Sequence, residues 1–188
     1  AGVRWLYILP TILMTLPVLY FLVMQVDYRR RRIMAFLDPW DDPFDTGFQI
    51  IQSLVAFGKG GVLGQGLGIG EQKLFYLPEA HTDFIFSVLA EEWGFLGSIT
   101  LVLLFLILII WGLNVAHGCR EPFGTIVAVG VTAMIFWQAF INIGMSMGLL
   151  PVVGVPLPFV SYGGSSVLTT AISIGLLLNV SMRRFMLD

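Results

Sequence analysis

Chemistry in this sequence concentrates at His81-Thr82-Asp83, directly before an apolar run that begins at Phe84. A carboxylate at the mouth of a membrane-embedded pocket can take the proton of a hydroxyl nucleophile, the work of a general base. The same residues have a structural use. Thr82 or Asp83 can cap the following helix, whose free N–H groups and dipole favour an oxygen or an acid at that end. The two uses are compatible, because a carboxylate can cap a helix and still face a cavity. Spacing adds a direction: Asp83, Ser87, Ala90, Gly94 and Gly97 follow i, i+4, i+7, i+11 and i+14, and so share one helical face. A stripe of small residues lets membrane helices pack closely, which turns Asp83 toward the protein interior. Glu91 lies near the edge of that face and Glu92 roughly opposite Asp83. Acids this deep need a partner or water, and a pair of structural hydrogen-bonding acids is the reading they support best.

Other residues offer charge rather than proton transfer. Arg29, Arg30, Arg31 and Arg32 form an unbroken run. Read plainly it is a solvated charge run; read sharply, its guanidinium forks grip phosphate or pyrophosphate, in lipid headgroups or in a specific lipid substrate. Lys59 and Lys73 add cations to the same stretch. Between Gly58 and Gly70 stand seven glycines without a dinucleotide-binding fingerprint. They suit tight turns and close backbone approach, and backbone N–H groups presented there can bind an anion. Pro156 to Ser166 ends in Gly163-Gly164-Ser165-Ser166, where Ser165 or Ser166 can cap a last helix and its N-terminus can bind an anion. His81 and His117 are the only histidines and fall on opposite sides of the expected membrane, so no metal cluster is expected. Cys119 stands alone and cannot form an internal disulfide.

The elements that must position these residues follow from composition. The chain of 188 residues is 57% hydrophobic and 12% charged, with a net charge of −2. A soluble domain carries about 25% charged residues, so this is an integral membrane protein, and no basic face large enough for a nucleic-acid partner is available. Crossing ~30 Å of hydrocarbon takes about 20 apolar residues. Four segments answer to that, at about 5–26, 84–113, 123–145 and 165–180, the first interrupted by Pro10 and Pro17. The expected fold is an all-α polytopic membrane domain over residues 1–188, with one large loop at 27–83. That loop is too polar for lipid and too apolar for a free coil, and Phe48–Phe57 reads as an interfacial or re-entrant helix within it.

Four crossings place both ends on one side. With the ends in the cytoplasm, Arg4, Arg120, Arg183 and Arg184 are inside, and the long loop carries its six cations outside. Raw counting opposes that arrangement, but the positive-inside rule is read from short loops, and these favour cytoplasmic ends. Arginines held outside call for an anionic partner.

Tyr76-Leu77-Pro78-Glu79-Ala80-His81-Thr82-Asp83-Phe84-Ile85-Phe86, followed by Ala90-Glu91-Glu92 and Gly94, resembles the signature of the bacterial SEDS proteins. Asp38-Pro39-Trp40, Asp42-Pro43, Gly47-Phe48-Gln49 and the Gly-Gly-Ser-Ser run after Pro158 match that family in the same order, across essentially the whole chain. Trp93 departs from it, where Leu is common. Gln72-Lys73 before the Tyr-Leu-Pro-Glu run is closer to the division (FtsW-like) branch than to the elongation (RodA-like) branch.

The resemblance implies ten membrane helices, of which these would be the last four, the others being absent or carried on a separate chain. It implies a peptidoglycan glycosyltransferase that polymerises lipid II on the outer face of the bacterial cytoplasmic membrane, with Asp83 matching the family's essential aspartate. It also implies a class B penicillin-binding protein and other divisome proteins as partners. The leaving pyrophosphate needs positive charge, for which Arg29–Arg32, Lys59, Lys73 or a divalent cation (Mg or Mn) are candidates. His81, Thr82, Ser165 and Ser166 join them as substrate-binding candidates. A flippase for the lipid precursor and a non-catalytic scaffold for the partner synthase are the rival readings.

Overall fold

The computed structural model describes residues 5–43, 47–70 and 82–186, and every regular element among them is a helix. The chain forms two compact units, Ala1–Phe48 and Gln49–Asp188.

The first unit holds helices α1 (Trp5–Met24) and α2 (Asp27–Leu37). The first expected span is thus helical, with Pro10 and Pro17 inside it. The Arg29–Arg32 run lies on a helix rather than in a loop, because Asp27 at its start complements the helix dipole and arginine is a good helix former.

The second unit is built from α3 (Phe48–Gly60), α4 (Ile85–His117), α5 (Pro122–Ser146) and α6 (Gly164–Met186). Ile85–His117, Pro122–Ser146 and Gly164–Met182 are long and apolar enough to cross a membrane, so the protein is a multi-pass membrane protein. Pro122 opens α5 at a position where its missing N–H costs nothing. Small residues bring the spans together: a Cβ on Gly112 of α4 would come within 2.2 Å of Thr132 Oγ1 on α5. Val115, Ala116, Ala128 and Leu177 form one core cluster, and Phe86, Phe105, Ile135, Ala139 and Leu157 another. Leu103, Leu104 and Ile107 on α4, Phe140 on α5, and Leu168 and Ile172 on α6 point outward and are exposed, as lipid-facing side chains must be. Hydroxyls inside the spans bond back to their own helix, as Thr132 Oγ1 does to Ala128 O at 2.7 Å and Ser173 Oγ to Thr169 O at 2.7 Å. In hydrocarbon there is no water to serve them.

The Phe48–Phe57 segment is the expected helix, α3, with one face buried. Ile50, Ile51, Ser53 and Ala56 are buried, and Ser53 Oγ pairs with Ser87 Oγ of α4 and with the carbonyl of Ser146.

The second span departs from a single straight helix. Thirty-three residues would extend about 50 Å at 1.5 Å per residue, well beyond the ~30 Å core. Gly94, at φ 66° and ψ −161°, breaks it into a short arm and a long one. The long arm alone suffices to cross.

Candidate active site

Asp83 lies in the turn just before α4. Phe84 takes the N-cap position, so the capping role expected of Thr82 or Asp83 is not what the structure shows. The reason is packing: Phe84 is fully buried and clusters with Ile50, Val88 and Val152. Burying that ring sets the register of the helix start and leaves Thr82 and Asp83 outside it, both half-buried.

Two side chains from other elements hold this turn by its backbone. Asn142 of α5 donates from Nδ2 to the Asp83 carbonyl at 2.8 Å and to the Val155 carbonyl at 2.7 Å. Ser161 Oγ donates to the Thr82 carbonyl and accepts from Leu157 N–H at 2.7 Å. Asp83 therefore rests on the connection between α5 and α6. Its carboxylate lies beside Gly154, where a Cβ would come 3.1 Å from Oδ2 and where φ is +69°. A carboxylate set in a fixed backbone and still half-buried rather than enclosed is suited to meeting a hydroxyl.

Of the two acids further along α4, Glu92 behaves as the sequence suggested, as a structural hydrogen-bonding group. Glu91 and Glu92 are buried, and Glu92 Oε1 accepts from Gly68 N–H at 3.2 Å. The glycine-rich segment wraps the break at Gly94 and repairs it. Phe95 N–H and Leu96 N–H donate to the carbonyls of Gly61 and Val62 at 2.9 and 3.2 Å. The carbonyls of Glu91 and Glu92 accept from Gln65 N–H and Gly66 N–H, each at 3.0 Å. Side chains would not fit here, since a Cβ on Gly64 would stand 2.1 Å from Glu92 O and one on Gly94 2.3 Å from Gly64 N. The close approach expected of these glycines is real, and its target is α4. The N–H groups of Gln65, Gly66 and Gly68 are spent on that contact rather than presented to an anion. Beside the break lies an apolar cavity of about 380 Å³, lined by Phe57, Phe86, Ala90 and Phe95 among others but not by Asp83.

The remaining candidates are dispersed. Arg29, Arg30 and Arg31 are exposed and Arg32 half-buried on α2, in the first unit, with Arg29 Nη1 donating to Leu22 O at 3.3 Å. Lys59 is exposed in the last turn of α3. Lys73 and His81 fall outside the described residues. Ser165 and Ser166 sit inside the first turn of α6, which begins at Gly164, so neither is the cap that was expected. The helix starts earlier because Val167 N–H already bonds to Gly163 O at 2.9 Å. Among the described residues no group of three or more His, Cys, Asp or Glu side chains could hold a metal ion.

Asn142 and Ser161 were not singled out from the sequence. The signal for Asn142 was there: a primary amide inside the apolar run Phe140-Ile141-Asn142-Ile143 is expensive in a membrane helix and marks a site by default. Ser161 carries no comparable signal.

The chain matches the profile of the FtsW/RodA/SpoVE family, described as cell cycle protein, over residues 1–185. It is 57% identical over 183 residues to the probable peptidoglycan glycosyltransferase FtsW of Geobacter metallireducens, covering 97% of this chain and 49% of that one. It is 52% identical over 160 residues to stage V sporulation protein E of Bacillus subtilis, covering 85% and 44%. The chain thus spans about half the length of the curated relatives it matches. Among solved structures, it resembles one described as structural coordination of polymerization and crosslinking by a peptidoglycan synthase complex. There the TM-score is 0.73 and the identity 33%, over 98% of this chain and 51% of that one. The rod shape determining protein RodA of Thermus thermophilus is similar at a TM-score of 0.56 and 30% identity, over 98% and 59%.

Proposed function

The chain belongs to the FtsW/RodA/SpoVE family of cell cycle proteins, and from that premise we propose that the protein is a peptidoglycan glycosyltransferase of cell division. It polymerises lipid II into glycan strands on the outer face of the bacterial cytoplasmic membrane. The observation that carries this reading is Asp83, half-buried just before α4 and held through its backbone by Asn142.

Asp83 takes the proton of the acceptor sugar's 4-hydroxyl. The oxygen attacks the anomeric carbon of the growing chain, the bond from that carbon to the phosphate oxygen breaks, and undecaprenyl pyrophosphate leaves with the electron pair. Charge develops on the pyrophosphate, and cations aimed at it lower the barrier. Arg29–Arg32, Lys59 and Lys73 remain the protein's candidates for that work, with His81, Thr82, Ser165 and Ser166 as candidate contacts to the sugars. A divalent cation, Mg or Mn, would serve the same charge, but the described residues build no site for one, so no step runs through it. The similarity to a peptidoglycan synthase complex supports a class B penicillin-binding protein as partner, cross-linking the strands as they form.

The test is Asp83→Asn in the full-length protein, reconstituted with lipid II. Polymerisation is expected to vanish while the melting temperature is unchanged; undiminished polymerisation would overturn the reading. The break in α4 at Gly94 favours one rival, since interrupted spans are a device of transporters. With lipid II supplied on the outer leaflet, a polymerase makes glycan strands and a flippase makes none.

A further inference from the structure

Asn142 is completely buried in α5, and the elements it joins are far apart in sequence. Its amide nitrogen carries two protons, and each is given to a main-chain carbonyl: that of Asp83, before α4, and that of Val155, between α5 and α6. Both bonds are part-buried, and removing the amide takes the donor from two carbonyls at once, each costing up to about 1–3 kcal/mol where water cannot replace it. Few side chains can replace it. Serine and threonine donate one proton. Aspartate donates none when ionised, and lysine or arginine would bring a charge into a membrane-embedded position. Asn142 Oδ1 finds no partner among the described residues, so it is the two donations that orient the group. Ser161 makes a second tie of the same kind, from the Thr82 carbonyl to Leu157 N–H. Successive carbonyls, of Thr82 and Asp83, are thereby fixed to one connecting segment, and the Asp83 side chain has little freedom beyond its own rotamers.

We propose that Asn142 is a positioning residue for the reaction, acting through Asp83 by locking the Thr82–Asp83 turn to the Val155–Leu157 segment, with Ser161 as its auxiliary. This rests on the reading of Asp83 as the base for its catalytic consequence, though not for the lock itself. A base displaced by an ångström loses on the order of a hundredfold in rate, while substrate affinity, set elsewhere, is little affected. Loss of the lock therefore lowers turnover and leaves KM nearly unchanged.

The experiment uses the full-length protein with Asn142→Ala, the near-isosteric Asn142→Asp and the milder Ser161→Ala, the latter two standing in should the alanine variant at Asn142 fail to fold. Turnover at saturating lipid II, KM, and amide hydrogen exchange over residues 82–88 and 150–158 are measured together. Faster exchange in both segments is expected, with turnover down on the order of ten- to a hundredfold for the Asn142 variants and less for Ser161→Ala. Unchanged exchange overturns the lock. Faster exchange with full turnover per folded molecule overturns the positioning role. Should Asp83→Asn itself keep polymerising, the assignment of the base fails, and the exchange measurement still decides the lock independently.

Discussion

The two ends of the short arm of α4 meet the same difficulty and resolve it differently. At its start, the carbonyls of Thr82 and Asp83 precede the helix; at Gly94 the helix is cut and its N–H and carbonyl groups are released. Buried backbone groups must be paired, so each end must find partners. The Gly94 break is closed chiefly by backbone, with glycines at Gly64 and Gly94 admitting contacts that no Cβ would permit and the side chains of Glu92 and Ser98 adding one bond each. The Asp83 end is closed by side chains, Asn142 and Ser161, which take the carbonyls and leave the carboxylate out of the bonding pattern they make. A closure by side chains can hold the main chain still beside a half-buried carboxylate, which is why the second end, and not the glycine-rich one, is the candidate for chemistry.

The contrast can be broken most decisively at Asp83. Asp83→Asn is expected to lower lipid II polymerisation by at least the ~10²–10⁴-fold that a general base contributes, with unfolding in mild detergent unaffected. An equal loss of stability would mean the Asp83 end is structural as well. At the other end the effect falls on the fold. Gly94→Ala forces a side chain into a glycine-only conformation and against Gly64 N at 2.3 Å, and about 2–4 kcal/mol of stability is expected to be lost. A shift in the detergent unfolding midpoint measures it. Glu92→Ala removes the acceptor for Gly68 N–H and is expected to destabilise by about 1–3 kcal/mol. Glu92→Gln keeps an acceptor and is expected to polymerise normally; a large activity loss there would give the acid a chemical role that the contrast denies it. The smallest effect separates two neighbouring glycines. Gly58 has nothing within 4 Å of a built Cβ, whereas one on Gly60 would stand 2.0 Å from Ala90 O. Gly58→Ala is expected to raise stability by about 0.5–1 kcal/mol through helix propensity, and Gly60→Ala to lower it.

Some of this was legible without coordinates because it depends on local composition. Runs of apolar residues as long as a bilayer is thick locate the three spans of the second unit, and Phe48–Phe57 reads as a helix within the long loop because its pattern is helical. The small residues of the expected stripe, Ser87, Ala90, Gly94 and Gly97, are all buried, but α4 starts after Asp83 and breaks at Gly94, so they do not form one continuous helical face with it. Helix ends were less legible. Thr82, Asp83, Ser165 and Ser166 are good capping residues by type, yet the burial of Phe84 and the turn at Gly163 decided where α4 and α6 begin. The arginine run also changed character, since four residues in a row do not show whether they lie in a coil or on α2.

The sequence by itself determined that this is an all-helical membrane protein with a carboxylate at the head of a long span. Hydrophobic length, residue type and spacing along one helix are properties of contiguous residues, and each carries its own free energy wherever the rest of the chain goes. What only the tertiary structure decided is which distant groups satisfy one another: glycines at 61–66 against the break at Gly94, and Asn142 and Ser161 against the turn at Asp83. Those pairings are set by close packing of backbones and by the need to satisfy each buried carbonyl and N–H. They are properties of segments brought together across the fold, and no local pattern in the chain encodes them.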